Sequence, residues 1–387
     1  MQRGARGNSH DSPAFFIRID LVAYPGQRLK FPLSQPYPFT VRIPLGDAMT
    51  SPLESIARAM VARGRGILAA DESTGTIEKR FNSINVENTE ENRRAYREML
   101  FTTKGVGQYL SGVILYDETL RQKCADGVSF VDALNRQNII PGVKVDSGAK
   151  DMPLCPGELV SEGLDGLAKR CADYAKLGAR FAKWRAVITI GKDMPSAACI
   201  EANAHALARY AAHCQAAGIV PIVEPEVLMD GTHDIDTCEW VTETTLRTVF
   251  IALASQRVAL EGIVLKPSMV ISGKDCPKQA NHREVAERSL KVLKRTVPAS
   301  VPGIAFLSGG LNDSDATIHL NEINRLGGGP WALTFSYGRG LQQSALKAWR
   351  GASANVPAAQ ATLLHRAHMN SLAAIGEYNA SVEKMAA

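Results

Sequence analysis

No two cysteines in this sequence are spaced as CxxC. The seven that occur, Cys124, Cys155, Cys171, Cys199, Cys214, Cys238 and Cys276, lie far apart. Such an odd, scattered set argues against a disulfide framework and for reduced thiols in a reducing, cytoplasmic compartment. No apolar run approaches the ~18–20 residues that cross a bilayer, which sets aside a membrane-spanning protein. No excess of charge is present either: 44 basic residues face 39 acidic ones, a net charge of +5. No Lys/Arg run suits a nucleic-acid surface, although a few local cations would suffice for a small anion. The nucleophile elbow G-x-S-x-G of many hydrolases is missing. Gly105-Val106-Gly107 lacks the third glycine and the preceding strand of a dinucleotide turn. His365-x-x-His368 lacks a third ligand, so no metal site is expected.

What the chain does have is a repeat. Of its 387 residues 45% are hydrophobic, ample for a large core. From residue 66 a short apolar run, a polar turn and a helical stretch recur. The runs are Gly66–Ala69, Gly112–Tyr116, Ile139–Val145, Arg180–Val187, Gly218–Val223, Gly262–Leu265, Gly303–Leu307 and Trp331–Phe335. Each is followed by room for a crossover helix, such as Glu90–Phe101, Glu162–Leu177, Ser196–Ala216, Glu239–Ala254 or His282–Thr296. Eight such units predict an α/β fold, a closed (β/α)8 TIM barrel, with residues 49–387 as a single domain. A further helix is expected at about Leu53–Arg63. Residues 1–48 differ: they hold six of the 19 prolines, with six basic and three acidic residues, and show no helical period. They are expected to be a flexible or artefactual extension, with Met49 as an alternative start.

The placement of charge carries the functional signal. A barrel strand buried on both faces should be apolar. Yet Asp71 and Glu72 follow the first run, Lys144 and Asp146 close the third, and Lys183 and Arg185 interrupt the fourth. Glu224 and Glu226 close the fifth, Lys266 the sixth, and Arg339 follows the eighth. The i, i+2 pairs put both side chains on one face of a strand, at the C-terminal strand ends where barrel enzymes build their sites.

Lys266 follows a glycine and three aliphatics. Desolvation there favours the neutral amine, and a nearby cation such as Lys183 would add to the effect. A neutral amine attacks a ketone to give an iminium, an electron sink for carbon–carbon cleavage. Glu224, between Val223 and Pro225, and its neighbour Glu226 form a crowded carboxylate pair suited to acid–base work. The backbone of Ser308-Gly309-Gly310 offers an anion nest. Tyr337-Gly338-Arg339-Gly340 follows the next strand, and the loops after the seventh and eighth strands are the usual phosphate cradle of this fold. Lys79 and Arg80, with Arg93, form a second cationic group for a phosphate at the far end of a long substrate.

Together these residues resemble class I fructose-bisphosphate aldolases. The likeness rests on Gly66–Gly75, on Glu87–Arg94, and on Phe181-Ala182-Lys183-Trp184-Arg185. It continues through Glu224-Pro225-Glu226, the Lys266 motif, Leu307–Gly310 and Trp331–Arg339, and covers about residues 52–379. The resemblance implies that Lys266 is the Schiff-base nucleophile. Glu224 would then be the general acid/base, tuned by Glu226 and Lys183, and Asp71 would assist proton transfer at cleavage. Leu307, Ser308, Gly309, Gly310, Ser336, Gly338 and Arg339 would surround the C1 phosphate. Ser73, Thr76, Lys79 and Arg80 would lie toward the C6 phosphate, with Lys144, Lys183 and Arg185 along the sugar and Arg93 an addition. It also implies a sugar bisphosphate as substrate, roles in glycolysis and gluconeogenesis, no cofactor or metal, and a homotetramer.

Three positions depart from the family pattern: Val264 for a bulkier residue, Thr76 for serine, and a shorter C-terminus after Tyr378 with no terminal tyrosine. Two other readings remain: a different Schiff-base sugar-phosphate lyase or transferase, and a non-catalytic scaffold. Two separated phosphate sites argue against the first, and an intact set of Lys266, Glu224 and Asp71 against the second.

Overall fold

The computed structural model describes residues 51–385. The extension expected over residues 1–48 lies outside the described residues. Eight parallel strands close a barrel: β1 (Gly66–Ala70), β2 (Leu110–Leu115), β3 (Ile140–Lys144), β6 (Phe181–Ile188), β7 (Val220–Val227), β8 (Val264–Leu265), β9 (Gly303–Phe306) and β10 (Ala332–Tyr337). Around it the order is β1-β10-β9-β8-β7-β6-β3-β2. Every expected apolar run supplies one of these strands. Two further strands, β4 (Ala149–Asp151) and β5 (Leu159–Ser161), pair antiparallel in a small hairpin after β3.

Helices enclose the barrel in chain order: α1 (Pro52–Met60), α2 (Thr74–Asn82), α3 (Glu90–Phe101), α4 (Asp117–Arg121), α5 (Phe130–Asn135), α6 (Leu167–Lys176), α7 (Ala197–Ala216), α8 (Ile235–Ser255), α9 (His282–Thr296), α10 (Asp313–Leu326), α11 (Arg339–Trp349), α12 (Val356–Ala373) and α13 (Ala380–Met385). Their starts follow from side-chain caps, which satisfy backbone N–H groups that the first turn leaves free. Thr89 accepts from Asn92 N at 3.1 Å at the head of α3, and Asn281 accepts from Glu284 N at 2.9 Å at the head of α9. Asp234 caps α8 and so starts it earlier than the expected Glu239. The opposite holds for α6. Gly163 and Gly166 take φ of +119° and +66°, so the helix begins at Leu167 and not at Glu162.

The barrel is filled, not hollow. Ile67, Phe181, Val220, Ile222, Val264 and Ala305 pack inside it against Ala57, Met60 and Val61, so α1 and the residue after it plug the N-terminal mouth. Phe181 needs room from its neighbours: a Cβ on Gly142 would lie 2.3 Å from its ring.

β7 runs four residues beyond the expected Val223, through Pro225 and Glu226. Pro221 lies inside the expected run and Pro225 beyond it, and proline cannot donate to a ladder. Residues of even number direct their N–H toward β6, as Val220 N to Arg180 O and Leu228 N to Ile188 O show. The prolines therefore point their missing donors toward β8, where pairing is confined to Ile222 with Val264 and Val223 with Leu265. No ladder bond is lost on the β6 side, and β6–β7 pairing runs unbroken from Phe181 with Val220 to Ile188 with Val227.

Candidate active site

At the C-terminal strand ends a cavity of about 240 Å³ collects residues from seven of the eight strand–loop units. Asp71 and Glu72 reach it from the end of β1, Lys144 from β3, Lys183 and Arg185 from β6, Glu224 and Glu226 from β7, and Lys266 from just past β8. Leu307–Gly310 follow β9, Ser336 lies in β10, and Gly338 and Arg339 open α11. Ser73, Thr76 and Arg80 close it from the loop after β1 and from α2.

The floor is a chain of alternating charge. Asp71 Oδ2 lies 2.7 Å from Lys183 Nζ, which is 3.5 Å from Glu224 Oε2, and Glu224 Oε1 is 3.0 Å from Lys266 Nζ. All four side chains are buried. Burial alone would raise the Asp71 carboxyl, but Lys183, Lys266 and Lys144 outweigh it and hold it below the usual carboxylate range. Burial would likewise lower Lys183, yet Asp71, Glu224 and Asp146 hold its ammonium well above the ordinary lysine value. These shifts describe an aspartate and a lysine fixed in their charged forms across the physiological range. Glu224, expected to crowd Glu226, instead sits between the two lysines. Glu226 turns to Arg185, which it contacts directly and which it helps to keep protonated against burial. Lys183 and Lys266 share Glu224, one on each of its carboxylate oxygens.

The opposite wall lacks carboxylates. Ser336 Oγ is buried there without a hydrogen-bond partner, an orphaned oxygen facing a cavity. Gly309 and Gly310 take φ of +57° and +111°, the left-handed region that glycine adopts freely. A Cβ on Gly310 would come within 3.2 Å of Arg339 Nη2. With the N–H groups at the start of α11, this wall offers only hydrogen-bond donors and a guanidinium, the groups that suit an oxyanion.

Nearly all sequence-predicted residues meet here. Lys79 and Arg93 do not. Lys79 is exposed on α2, one position short of the Thr76–Arg80 face. Arg93 is turned to Glu118, 3.0 Å from its Nε, and to Asn88. Glu72 is a strand-end charge outside the expected site. It lines the cavity, contacts Arg80, lies 3.0 Å from Arg97 Nη2 and accepts from Gln342 Nε2 at 2.9 Å. Tyr96 Oη donates in turn to Gln342 Oε1 at 2.9 Å, so α3, α11 and β1 are tied behind the Arg80 side of the site. Only its position next to Asp71 could have pointed to Glu72. His365 is half-buried and 3.0 Å from Glu383, and His368 stacks on Tyr109.

The fold and this cavity define a TIM-barrel enzyme with a lysine–carboxylate floor and an oxyanion wall. The family model for glycolytic class-I fructose-bisphosphate aldolase matches residues 52–387, and the chain belongs to that family. It is 60% identical over 327 residues, 84% of this chain and 98% of its relative, to a protein named probable fructose-bisphosphate aldolase class 1 from Xanthomonas axonopodis pv. citri. It is 54% identical over 338 residues to fructose-bisphosphate aldolase 1 of Toxoplasma gondii, covering 87% of this chain and 93% of that one. A solved structure of fructose-bisphosphate aldolase from Plasmodium falciparum, in complex with TRAP and a small-molecule inhibitor, superposes with a TM-score of 0.84 at 51% identity. That match covers 85% of this chain and 95% of the other. The activity is that of a glycolytic fructose-bisphosphate aldolase, an aldehyde-lyase. No helix among the described residues is long and apolar enough to cross a membrane.

Proposed function

We propose that Lys266 forms a Schiff base with fructose 1,6-bisphosphate and that Glu224 manages its protons. The observation that carries this reading is the buried contact between Lys266 Nζ and Glu224 Oε1 at 3.0 Å, at the end of the alternating chain. Glu224 accepts a proton from the Lys266 ammonium, and the free amine attacks the C2 ketone. The protonated Glu224 then delivers its proton to the C2 hydroxyl, water leaves, and an iminium remains. Asp71, held ionised by Lys183, assists removal of the C4 hydroxyl proton. The C3–C4 bond breaks, glyceraldehyde 3-phosphate departs, and the bonding electrons pass into the iminium as an enamine. Protonation at C3 and hydrolysis release dihydroxyacetone phosphate. Each step reverses, which serves gluconeogenesis.

The oxyanion wall of Ser308, Gly309, Gly310, Ser336 and Arg339 takes the C1 phosphate, and Ser73, Thr76 and Arg80 face the C6 phosphate. Lys144, Arg185 and Glu226 flank the sugar. The protein works as a cytoplasmic homotetramer with no metal or cofactor.

The test is borohydride trapping with dihydroxyacetone phosphate followed by peptide mass mapping. The adduct is expected on Lys266 and is expected to vanish in Lys266→Met. An adduct retained at parental yield in that variant overturns the assignment.

A further inference from the structure

Four barrel strands begin around a second cavity, at the mouth opposite the active site. Arg65 directly precedes β1, Ser111 is the second residue of β2, Pro141 lies at the start of β3 and Arg180 directly precedes β6. These strands are neighbours in the barrel, so the cavity of about 330 Å³ opens on one side of its N-terminal end, beside α1. Asn135 and Asn138 complete its polar lining, and no carboxylate lines it. An adjoining cavity of about 570 Å³ shares Asn138 and adds Lys104, again without a carboxylate.

Arg65 is the unusual member. Its Nη2 is held by three backbone carbonyls, of Gly107 at 2.6 Å, Leu110 at 2.7 Å and Asn138 at 3.0 Å. They fix the guanidinium in place, but neutral dipoles offset only part of a charge. Its Nε is buried with no hydrogen-bond partner. Desolvation draws the guanidinium below its ordinary range, as expected of a half-buried cation without a counter-charge. Arg180, exposed on the same cavity, has no ion-pair partner among the described residues either. A pre-positioned guanidinium, a second one able to swing, amide side chains and no acid form a donor set for an oxyanion.

We propose that this mouth is a second anion site, in which Arg65 and Arg180 bind a small phosphate-type oxyanion away from the catalytic cavity. Binding would supply the counter-charge that Arg65 lacks, and so would stabilise the fold by mass action.

The test is thermal unfolding in rising inorganic phosphate against chloride of equal ionic strength. It compares the parent chain with Arg339→Ala, which removes the active-site arginine, and with Arg180→Ser and Arg180→Glu at the mouth. A saturable, phosphate-specific rise of a few degrees is expected in the parent and is expected to persist in Arg339→Ala. Placed in the Arg339→Ala background, Arg180→Ser should raise the half-saturating phosphate concentration at least tenfold and Arg180→Glu should abolish the response, and in the otherwise parental chain neither change should alter kcat. The proposal fails if phosphate acts no differently from chloride. It fails also if Arg339→Ala removes the whole effect, or if both Arg180 variants in that background keep the response of Arg339→Ala alone.

Discussion

Glu224 divides its carboxylate between two lysines: Oε1 is 3.0 Å from Lys266 Nζ, and Oε2 is 3.5 Å from Lys183 Nζ. The nearer contact is of hydrogen-bonding length. Oε2 has no hydrogen-bond partner although it is buried, which leaves one oxygen of the pair open to an incoming group.

Glu224→Gln keeps the side chain's shape and removes its proton chemistry. The expected result is a kcat lowered by roughly 10²–10⁴, the usual scale of acid–base catalysis, with KM changed only a few-fold. Steady-state kinetics and the rate of borohydride trapping measure it. A kcat within threefold of the parent would remove Glu224 from the proton path.

Arg339 faces the cavity with no carboxylate partner among the described residues. A charge-assisted contact to phosphate is worth about 1.5–3 kcal/mol, so Arg339→Ala should lower kcat/KM for the bisphosphate by about 10- to 150-fold. The loss should be smaller for a substrate without the C1 phosphate. An equal loss for both substrates would place that phosphate elsewhere.

His319 sets a pH dependence of stability. It is buried, its ring centroid is 4.6 Å from that of His282, and its Nδ1 has no partner. Burial, then the His282 charge, depress it to about 4, against a weaker opposing pull from Asp315. Below its ordinary value of about 6.5 the unfolded imidazole takes a proton that the folded one refuses. Its contribution is therefore complete above about pH 6.5 and is lost as the pH falls toward 4, by up to about 3 kcal/mol. Urea unfolding at several pH values should show that slope in the parent and a flatter one in His319→Gln. Equal slopes would exclude His319 as the source.

A chain beginning at Met49 should fold and cleave substrate as the full chain does. The barrel closes on itself and is plugged by α1 from Pro52 onward. Far-ultraviolet circular dichroism and kcat decide the matter. An insoluble or inactive product would make residues 1–48 part of the fold.

Much of this was legible because a closed parallel barrel leaves strong marks. Buried strands must be apolar, so every charge at a strand end stood out, and most of those charges meet in one cavity. The helices expected at Glu90–Phe101 and His282–Thr296 form over those same residues. The β4–β5 hairpin was missed because Ala149-Lys150-Asp151 is mostly exposed and carries no apolar alternation. Lys79 and Arg93 were misplaced because a run of cations tells nothing of which face a helix turns inward. The tie of Glu72 to Arg97 and Gln342 joins residues 25 and 270 positions apart, which no local pattern records.

The meagre pairing of β8 has its own consequence. Among the barrel's staves this one is the most lightly fastened, by two residue pairs to β7 and a single pair, Leu265 with Ile304, to β9. Lys266 stands directly past its end, anchored by its own N–H to Val223 O at 2.8 Å. On the proposed Schiff-base route the carbon joined to its nitrogen would pass from trigonal ketone to tetrahedral carbinolamine and back to a planar iminium. A long, rigid ladder would resist each change of bond direction. On that route a short stave would let Lys266 follow the substrate carbon while Lys183 and Glu224, held on the longer β6 and β7, stay in place.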